Sequence, residues 1–424
     1  IFITEYKGAE LGTIVGLAIG ILIMRPTLTM PALTKFVDGT GPVWSGNLFP
    51  FLFITIACGA VSGFHALISS GTTPKMLANE SQACFIGYGG MLMESFVAIM
   101  ALVAACIIDP GVYFAMNSPM AVLAPAGTTD VVASAAQVVS GWGFSITPDT
   151  LHQIASEVGE QSIISRAGGA PTLAVGMAYI LHGSLGGLMD VSFWYHFAIL
   201  FEALFILTAV DAGTRAARFM LQDLLGVISP GLKKTSSLPA NLLATALCVL
   251  AWGYFLHQGV VDPLGGINTL WPLFGIANQM LAGMALMLCA VVLFKMKRQR
   301  YAWVALLPTS WLLICTLTAG WQKSFSPDTK VGFLAIANKF QAMIDSGNIP
   351  PQYTESQLAQ LVFNNRLDAG LTIFFMIVVV VLALFSIKTA LAALKEDKPT
   401  AKETPYEPMP ENLDAIETQA KGAH

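Results

Sequence analysis

Long apolar runs separated by short polar breaks dominate the chain, and roughly nine of them approach or reach the ~17–25 residues a helix needs to cross a bilayer. They occupy residues 11–24, 48–67, 83–108, 172–189, 191–210, 242–260, 272–294, 303–319 and 371–387. The second run is spoiled midway, where its apolar residues give way to Gly59, Ser62, Gly63, His65, Ser69, Ser70 and Gly71. Backbone that leaves the helix at bilayer depth persists only where protein or a watery cavity satisfies its N–H and C=O groups, as in the broken helices of secondary transporters. The pattern therefore predicts an all-α polytopic membrane protein with a broken span over residues 48–75.

Basic residues orient the later spans. Arg215, Arg218, Lys233 and Lys234, then Lys295, Lys297, Arg298 and Arg300, then Lys388 and Lys395 all belong on the cytoplasmic side, and the parity of spans after Val210 agrees. Residues 109–170 read as a long loop whose acids, Asp109, Asp130, Asp149, Glu157 and Glu160, outnumber the single basic residue Arg166 and point outward. An outside position is incompatible with two complete crossings at 172–189 and 191–210. Three solutions stay open: a re-entrant stretch around Gly183, Gly186 and Gly187, a dip of residues 111–125 into the bilayer, or a cytoplasmic loop. Residues 321–368 form an extracytoplasmic loop in this reading, with a short amphipathic helix at 357–363. The proline-rich, charged residues 395–424 cannot bury enough surface to order and form a disordered cytoplasmic tail.

Composition sharpens the picture. Of 424 residues, 55% are hydrophobic and 11% charged, and mean hydropathy is +0.66. A soluble domain carries about 25% charged residues, so much of this surface faces lipid. A net charge of −4 without a basic stripe excludes nucleic acid as partner. Six cysteines, Cys58, Cys84, Cys106, Cys248, Cys289 and Cys315, lie inside apolar runs and read as small buried hydrophobes rather than metal ligands. No phosphate-binding loop, zinc-protease or serine-hydrolase signature is present, so neither an ATP-driven pump nor an enzyme is expected, and no cofactor or metal.

Candidate chemistry then resides in polar groups inside the spans, which are costly in lipid. Glu94 sits near the centre of its run and must pair, stay protonated or face water; it is the first candidate for carrying a coupling proton, the alternative being a neutral acid bonded to a neighbouring helix. Glu202 repeats the pattern. His196, six residues earlier, does not share its face and reads as a membrane-interface residue beside Trp194 and Tyr195. Asp211 lies one turn before Arg215, the spacing of an ion pair, with a gate or ion site as the other reading. His65 shares an approximate helical face with Ser62 and Ser69; an imidazole can shuttle protons or bind a carboxylate, or simply bond a cavity carbonyl. The hydroxyls and backbone N–H groups of Ser62, Gly63, Ser69, Ser70, Gly71, Thr72 and Thr73 are candidates to cradle a small anion. Asn278 and Gln279 read mainly as interhelical glue, and His182 as the lining of a close helix contact.

Several long strings, among them GTGPVWSGNLFPFLFITIACGAVSGFHALISSGTTPKMLANE, FIGYGGMLMESFVAIMAL, RAGGAPTLAVGMA, FWYHFAILFEALFILTAVDAGTRAARFMLQDLLG and GVVDPLGGINTLWPLFGIANQMLA, resemble the carbon starvation protein A family over most of the chain. The resemblance implies a bacterial inner-membrane secondary transporter with a fold like the amino acid/polyamine/organocation carriers. It implies import of a small carboxylate-bearing substrate, peptides or pyruvate, during carbon starvation, with protons as the coupling ion and the lipid bilayer as surroundings. On this pattern residues 1–190 correspond to the later part of the core transporter region, 191–394 to a five-span C-terminal module and 395–424 to the cytoplasmic tail. Family members carry further spans before the point where this sequence starts, so the chain reads as N-terminally incomplete. A non-transporting membrane sensor or assembly component is the alternative.

Overall fold

The computed structural model describes residues 2–43, 45–56, 61, 63–77, 79–125, 128–235, 237–261, 266–350 and 353–401. All regular structure among them is helical. In chain order the helices are α1 (Phe2–Met24), α2 (Leu48–Thr55), α3 (Gly63–Gly71), α4 (Thr73–Met76), α5 (Gln82–Cys106), α6 (Pro110–Asn117), α7 (Met120–Leu123) and α8 (Val131–Gly141). They continue with α9 (Pro148–Val158), α10 (Gly169–Ser184), α11 (Val191–Ile228), α12 (Leu238–Val261), α13 (Gly266–Lys295), α14 (Trp303–Phe325), α15 (Phe333–Asp345) and α16 (Glu355–Lys395). Among the described residues six helices, α5, α11, α12, α13, α14 and α16, are long and apolar enough to cross a membrane. The polytopic helical class expected from the pattern is the one found.

The chain forms two interleaved compact units, one from residues 1–48, 95–210 and 350–352, the other from residues 49–94, 211–349 and 353–424. Both α5 and α11 contribute one part to each. In the first unit a single apolar core joins Leu17 of α1, Met100 and Ala104 of α5, Val112 and Met116 of α6, Leu151 of α9 and Met177 and Ile180 of α10. Gly176 of α10 lies against the backbone of Ala104, where a side chain would collide. Close backbone approach through small residues is the usual way that helices associate without a hydrophobic driving force in lipid.

Residues 109–170 are not the acidic loop that their charge suggests. They fold into α6 to α9, and four of the five acids have structural partners, while Asp149 sits in the first turn of α9. Asp109 caps α6 ahead of Pro110, its carboxylate accepting from Gly111 N at 2.8 Å. Asp130 caps α8, accepting from Val132 N and Ala133 N, each at 3.0 Å. Thr147 caps α9, whose chain leaves through the left-handed Gly159. Glu160 pairs with Arg166 at 3.0 Å, and Glu157 accepts from the Tyr179 hydroxyl at 2.6 Å. Caps of this kind stabilise a helix by about 0.5–2 kcal/mol each.

Two more expectations change. The run at 172–189 is a 16-residue helix, α10, followed by turns around Gly186 and Gly187 rather than a full span. The loop drawn over 321–368 contains the end of α14, all of α15 and the start of α16. A capping box, in which Thr354 and Gln357 exchange side-chain and backbone bonds, starts α16 well before the apolar run. At 41 residues α16 is about 60 Å long, twice the ~30 Å hydrocarbon thickness, so its first turns extend past the lipid. There it buries Leu358, Leu361 and Val362 with Phe340 of α15. At its other end, Lys297 Nζ donates to Ala393 O at 2.7 Å, and Thr400 N to Lys295 O at 3.0 Å. The basic clusters at 295–300 and 388–395 thus share one end of the second unit. Residues 402–424 of the expected tail lie outside the described residues.

Candidate functional site

Within the interrupted run the described residues form two helices, with a turn at Ile56 and a bend at Val61. Helix α2 ends at Thr55 and α3 begins at Gly63, while Cys58, Gly59 and Ser62 lie outside the described residues. Such a break leaves the last carbonyls of one helix and the first N–H groups of the next without intrahelical partners. Two neighbouring amides of α13 meet one of each. Asn278 Oδ1 accepts from Phe64 N at 2.8 Å, and Gln279 Nε2 donates to Phe53 O. Glycines bring the backbones within reach. A side chain at Gly63 would run into Asn278 O, and one at Gly275 would lie 2.6 Å from Ile54 Cγ2.

The amides were expected to hold helices together, and they do, but with backbone rather than with side chains. Each keeps a second arm. Asn278 Nδ2 and Gln279 Oε1 are buried and have no hydrogen-bond partner among the described residues. Leaving a buried polar arm unmatched costs about 1–3 kcal/mol.

In the first turn of the second unit's α3, His65 Nδ1 stands 3.0 Å from Glu94 Oε2 of α5. The side chains are 55% and 29% exposed, so the pair is not sealed in a dry core. An acid inside an apolar span must pair, be neutral or be wet, and Glu94 is paired and partly accessible. Sequence reasoning chose both residues without seeing that they meet, because 29 positions separate them.

The other candidates fall out differently. Ser69 Oγ donates to Ala66 O at 3.0 Å and Ser70 Oγ to the same carbonyl at 2.9 Å, while Thr72 Oγ1 and Thr73 Oγ1 donate to Ile68 O at 3.0 and 3.1 Å. Their backbone is helical too, with Thr72 N bonded to Ile68 O at 3.1 Å. The expected turn of free N–H groups over Ser69, Ser70, Gly71, Thr72 and Thr73 is therefore absent, since α3 and α4 occupy that stretch; the hydroxyl oxygens retain lone pairs as acceptors. Gly71 packs against Ala216 of α11. Asp211 and Arg215 form an ion pair at 2.8 Å one helical turn apart, as their spacing suggests. Glu202 sits half-buried in the part of α11 that belongs to the first unit. His196 Nδ1 lies 2.8 Å from Ser192 O and His182 Nδ1 2.7 Å from Met189 O, local backbone contacts in both cases.

Among the five described cysteines, Cys248 and Cys315 are buried but Cys84 and Cys289 are exposed, which corrects the uniform buried expectation. Those two occupy outward positions of α5 and α13, whose neighbours are apolar as well. No cluster of metal-ligating residues occurs among the described residues.

A second polar group was not anticipated. Lys323, at the end of α14, is buried with its ammonium 5.2 Å from the Phe51 ring and 6.0 Å from the Phe333 ring. Ser324 on α14 and Asn364, Asn365 and Asp368 on α16 are buried as well. The signal is present in the sequence as amides and an acid at helical spacing, 364, 365 and 368, but the reading of 321–368 as an extracytoplasmic loop hides it.

Comparison with known proteins completes the description. The family model described as carbon starvation protein CstA matches residues 7–319. The chain is 93% identical over 415 residues to the peptide transporter CstA of Escherichia coli (strain K12), covering 98% of this chain and 59% of that protein. It is 58% identical over 420 residues to the pyruvate/proton symporter BtsT of the same organism, covering 95% of this chain and 58% of that one. A peptide transporter CstA of Campylobacter jejuni is 60% identical over 315 residues, 74% of this chain and 44% of the relative. The chain thus spans somewhat over half the length of the first two relatives. No solved structure matches.

Proposed function

Since the chain belongs to the carbon starvation protein CstA family, we propose that it carries out proton-coupled import of a small carboxylate-bearing nutrient, peptides first and pyruvate second, across the bacterial inner membrane. The relatives described above are named as transporters rather than enzymes. Six helices of membrane-crossing length and composition supply the setting. The C-terminal end of α16, which shares its side with the basic loop at 295–300, is cytoplasmic in this proposal.

The observation that supports the reading best is the His65–Glu94 pair at 3.0 Å. It joins a helix that starts at a break to a helix of spanning length. With the imidazole charged, a proton delivered to Glu94 turns an attractive ion pair into a cation beside a neutral acid. The imidazolium is then free to take another anion, and a substrate carboxylate is the natural one. Proton and substrate would bind together through a single exchange of partners, which is the physical content of symport. Glu202 is the second proton site in this proposal, and the acceptor oxygens of Ser69, Ser70 and Thr73 are offered to the substrate, while Thr72 is buried, Gly63 and Gly71 are taken up by helix packing and Ser62 lies outside the described residues. Asp211 with Arg215 serves as a surface ion pair.

The test uses this chain in liposomes with labelled alanylalanine and labelled pyruvate under an imposed pH gradient. Accumulation of either solute above the outside concentration, abolished by a protonophore, supports the proposal. Equilibration at best, with the gradient intact, removes it and leaves a sensing or assembly role.

A further inference from the structure

The two unmatched amide arms of α13 have no structural duty left. Asn278 and Gln279 already join α13 to the backbone on either side of the break through Phe64 N and Phe53 O. Those partners also fix which end of each amide points where. A backbone N–H can bond only the oxygen of Asn278, and a carbonyl only the nitrogen of Gln279, so the orientation does not depend on telling nitrogen from oxygen by shape. What remains is a donor, Asn278 Nδ2, and an acceptor, Gln279 Oε1, on adjacent residues, 2% and 3% exposed respectively. A sequence designed only to hold the break closed would place apolar groups or fully matched amides there.

We propose that Asn278 and Gln279 form a substrate-recognition pair at the break, in which Asn278 Nδ2 donates to a carbonyl or carboxylate oxygen of a peptide and Gln279 Oε1 accepts from a peptide N–H. The proposal rests on the transport reading for its biological sense but not for its geometry. A peptide backbone offers both an acceptor and a donor. Pyruvate offers acceptors alone and leaves Gln279 Oε1 as unmatched as it is now. Loss of a partner that a buried polar group requires is how sites reject close analogues strongly. The pair therefore favours peptide over keto acid. In the structure both arms are buried, so a substrate that meets them must displace part of the packing around Asn278 and Gln279.

The clean variant is Asn278→Asp. The new carboxylate still accepts from Phe64 N–H, and a negative charge at the start of α3 is favourable, but the donor is gone and an acceptor stands in its place. Thermal stabilisation of the detergent-purified chain by alanylalanine and by pyruvate gives apparent affinities without requiring transport, because a ligand that binds only the folded state raises its melting temperature by mass action. The wild type should bind alanylalanine at least tenfold more tightly than pyruvate, and Asn278→Asp should weaken alanylalanine at least tenfold, each affinity being read from the ligand-induced rise above that protein's own unliganded melting temperature. Absence of any protection by alanylalanine, pyruvate binding as tightly, or a variant within twofold of wild type would each overturn the proposal. The wild-type comparison of the two solutes decides it even if the variant does not fold. A chain that binds alanylalanine in this manner yet accumulates nothing would remove the transport reading alone, and transport with an unaffected variant would remove this inference alone.

Discussion

Single side chains in this protein divide by what they touch. His65 and Glu94 touch each other across two helices and are partly accessible, whereas Asp211 and Arg215 touch within one helix at the surface. Similar distances, 3.0 and 2.8 Å, mean different things in the two places. For the exposed helical pair, screening and side-chain entropy leave about 0.3–0.5 kcal/mol, so Asp211→Asn should shift the melting temperature of the purified chain by about a degree or less and leave uptake unchanged; loss of uptake would make it a gate. His65→Ala should keep the amount of membrane-inserted protein while weakening uptake tenfold or more. Unchanged uptake kinetics would assign the imidazole to structure. Composition alone exposed these groups, because any ionisable residue inside a long apolar run stands out. Their partnership was not visible, since residue spacing relates positions on one helix and not between two.

At the scale of elements, the break after α2 was legible because glycines and hydroxyl residues interrupt an apolar run, but its stabilisation was not. Asn278 and Gln279 lie more than 200 positions away, and only packing brings α13 to Phe64 and Phe53. That packing needs the absence of a side chain at Gly63. Gly63→Val should separate α3 from α13 and destabilise the chain by about 1–3 kcal/mol, the usual range for overpacking, seen as a lower melting temperature and reduced membrane yield; a neutral result would show that the two helices do not meet so closely. The helices α6 to α9 were missed for a different reason. Their apolar residues face a protein core instead of lipid, so no long run marks them, and Asp109 and Asp130 were counted as loop charge when they act as helix caps. Asp-Pro at 109–110 and Thr-Pro at 147–148 are helix-start signals that a reading centred on spans passed over.

For the whole molecule, the apolar surface of the long helices decides the setting. Phe85, Tyr88, Leu92, Ile99 and Leu102 are all exposed on α5, which only lipid or further protein can cover. Helical class and membrane setting were therefore written in hydropathy, while span boundaries were not: α16 begins 16 residues before its apolar run because a capping box, and not lipid, starts it. In this setting the central claim is that Glu94 exchanges a coupling proton beside His65. The most direct measurement is uptake by liposomes holding either wild type or Glu94→Gln, with the interior one pH unit more alkaline. One unit corresponds to about 1.4 kcal/mol per proton, or roughly tenfold accumulation for one-to-one coupling. The account predicts several-fold accumulation of alanylalanine by the wild type, and for Glu94→Gln a ratio of about one with counterflow exchange retained. Full pH-driven accumulation by Glu94→Gln would contradict it.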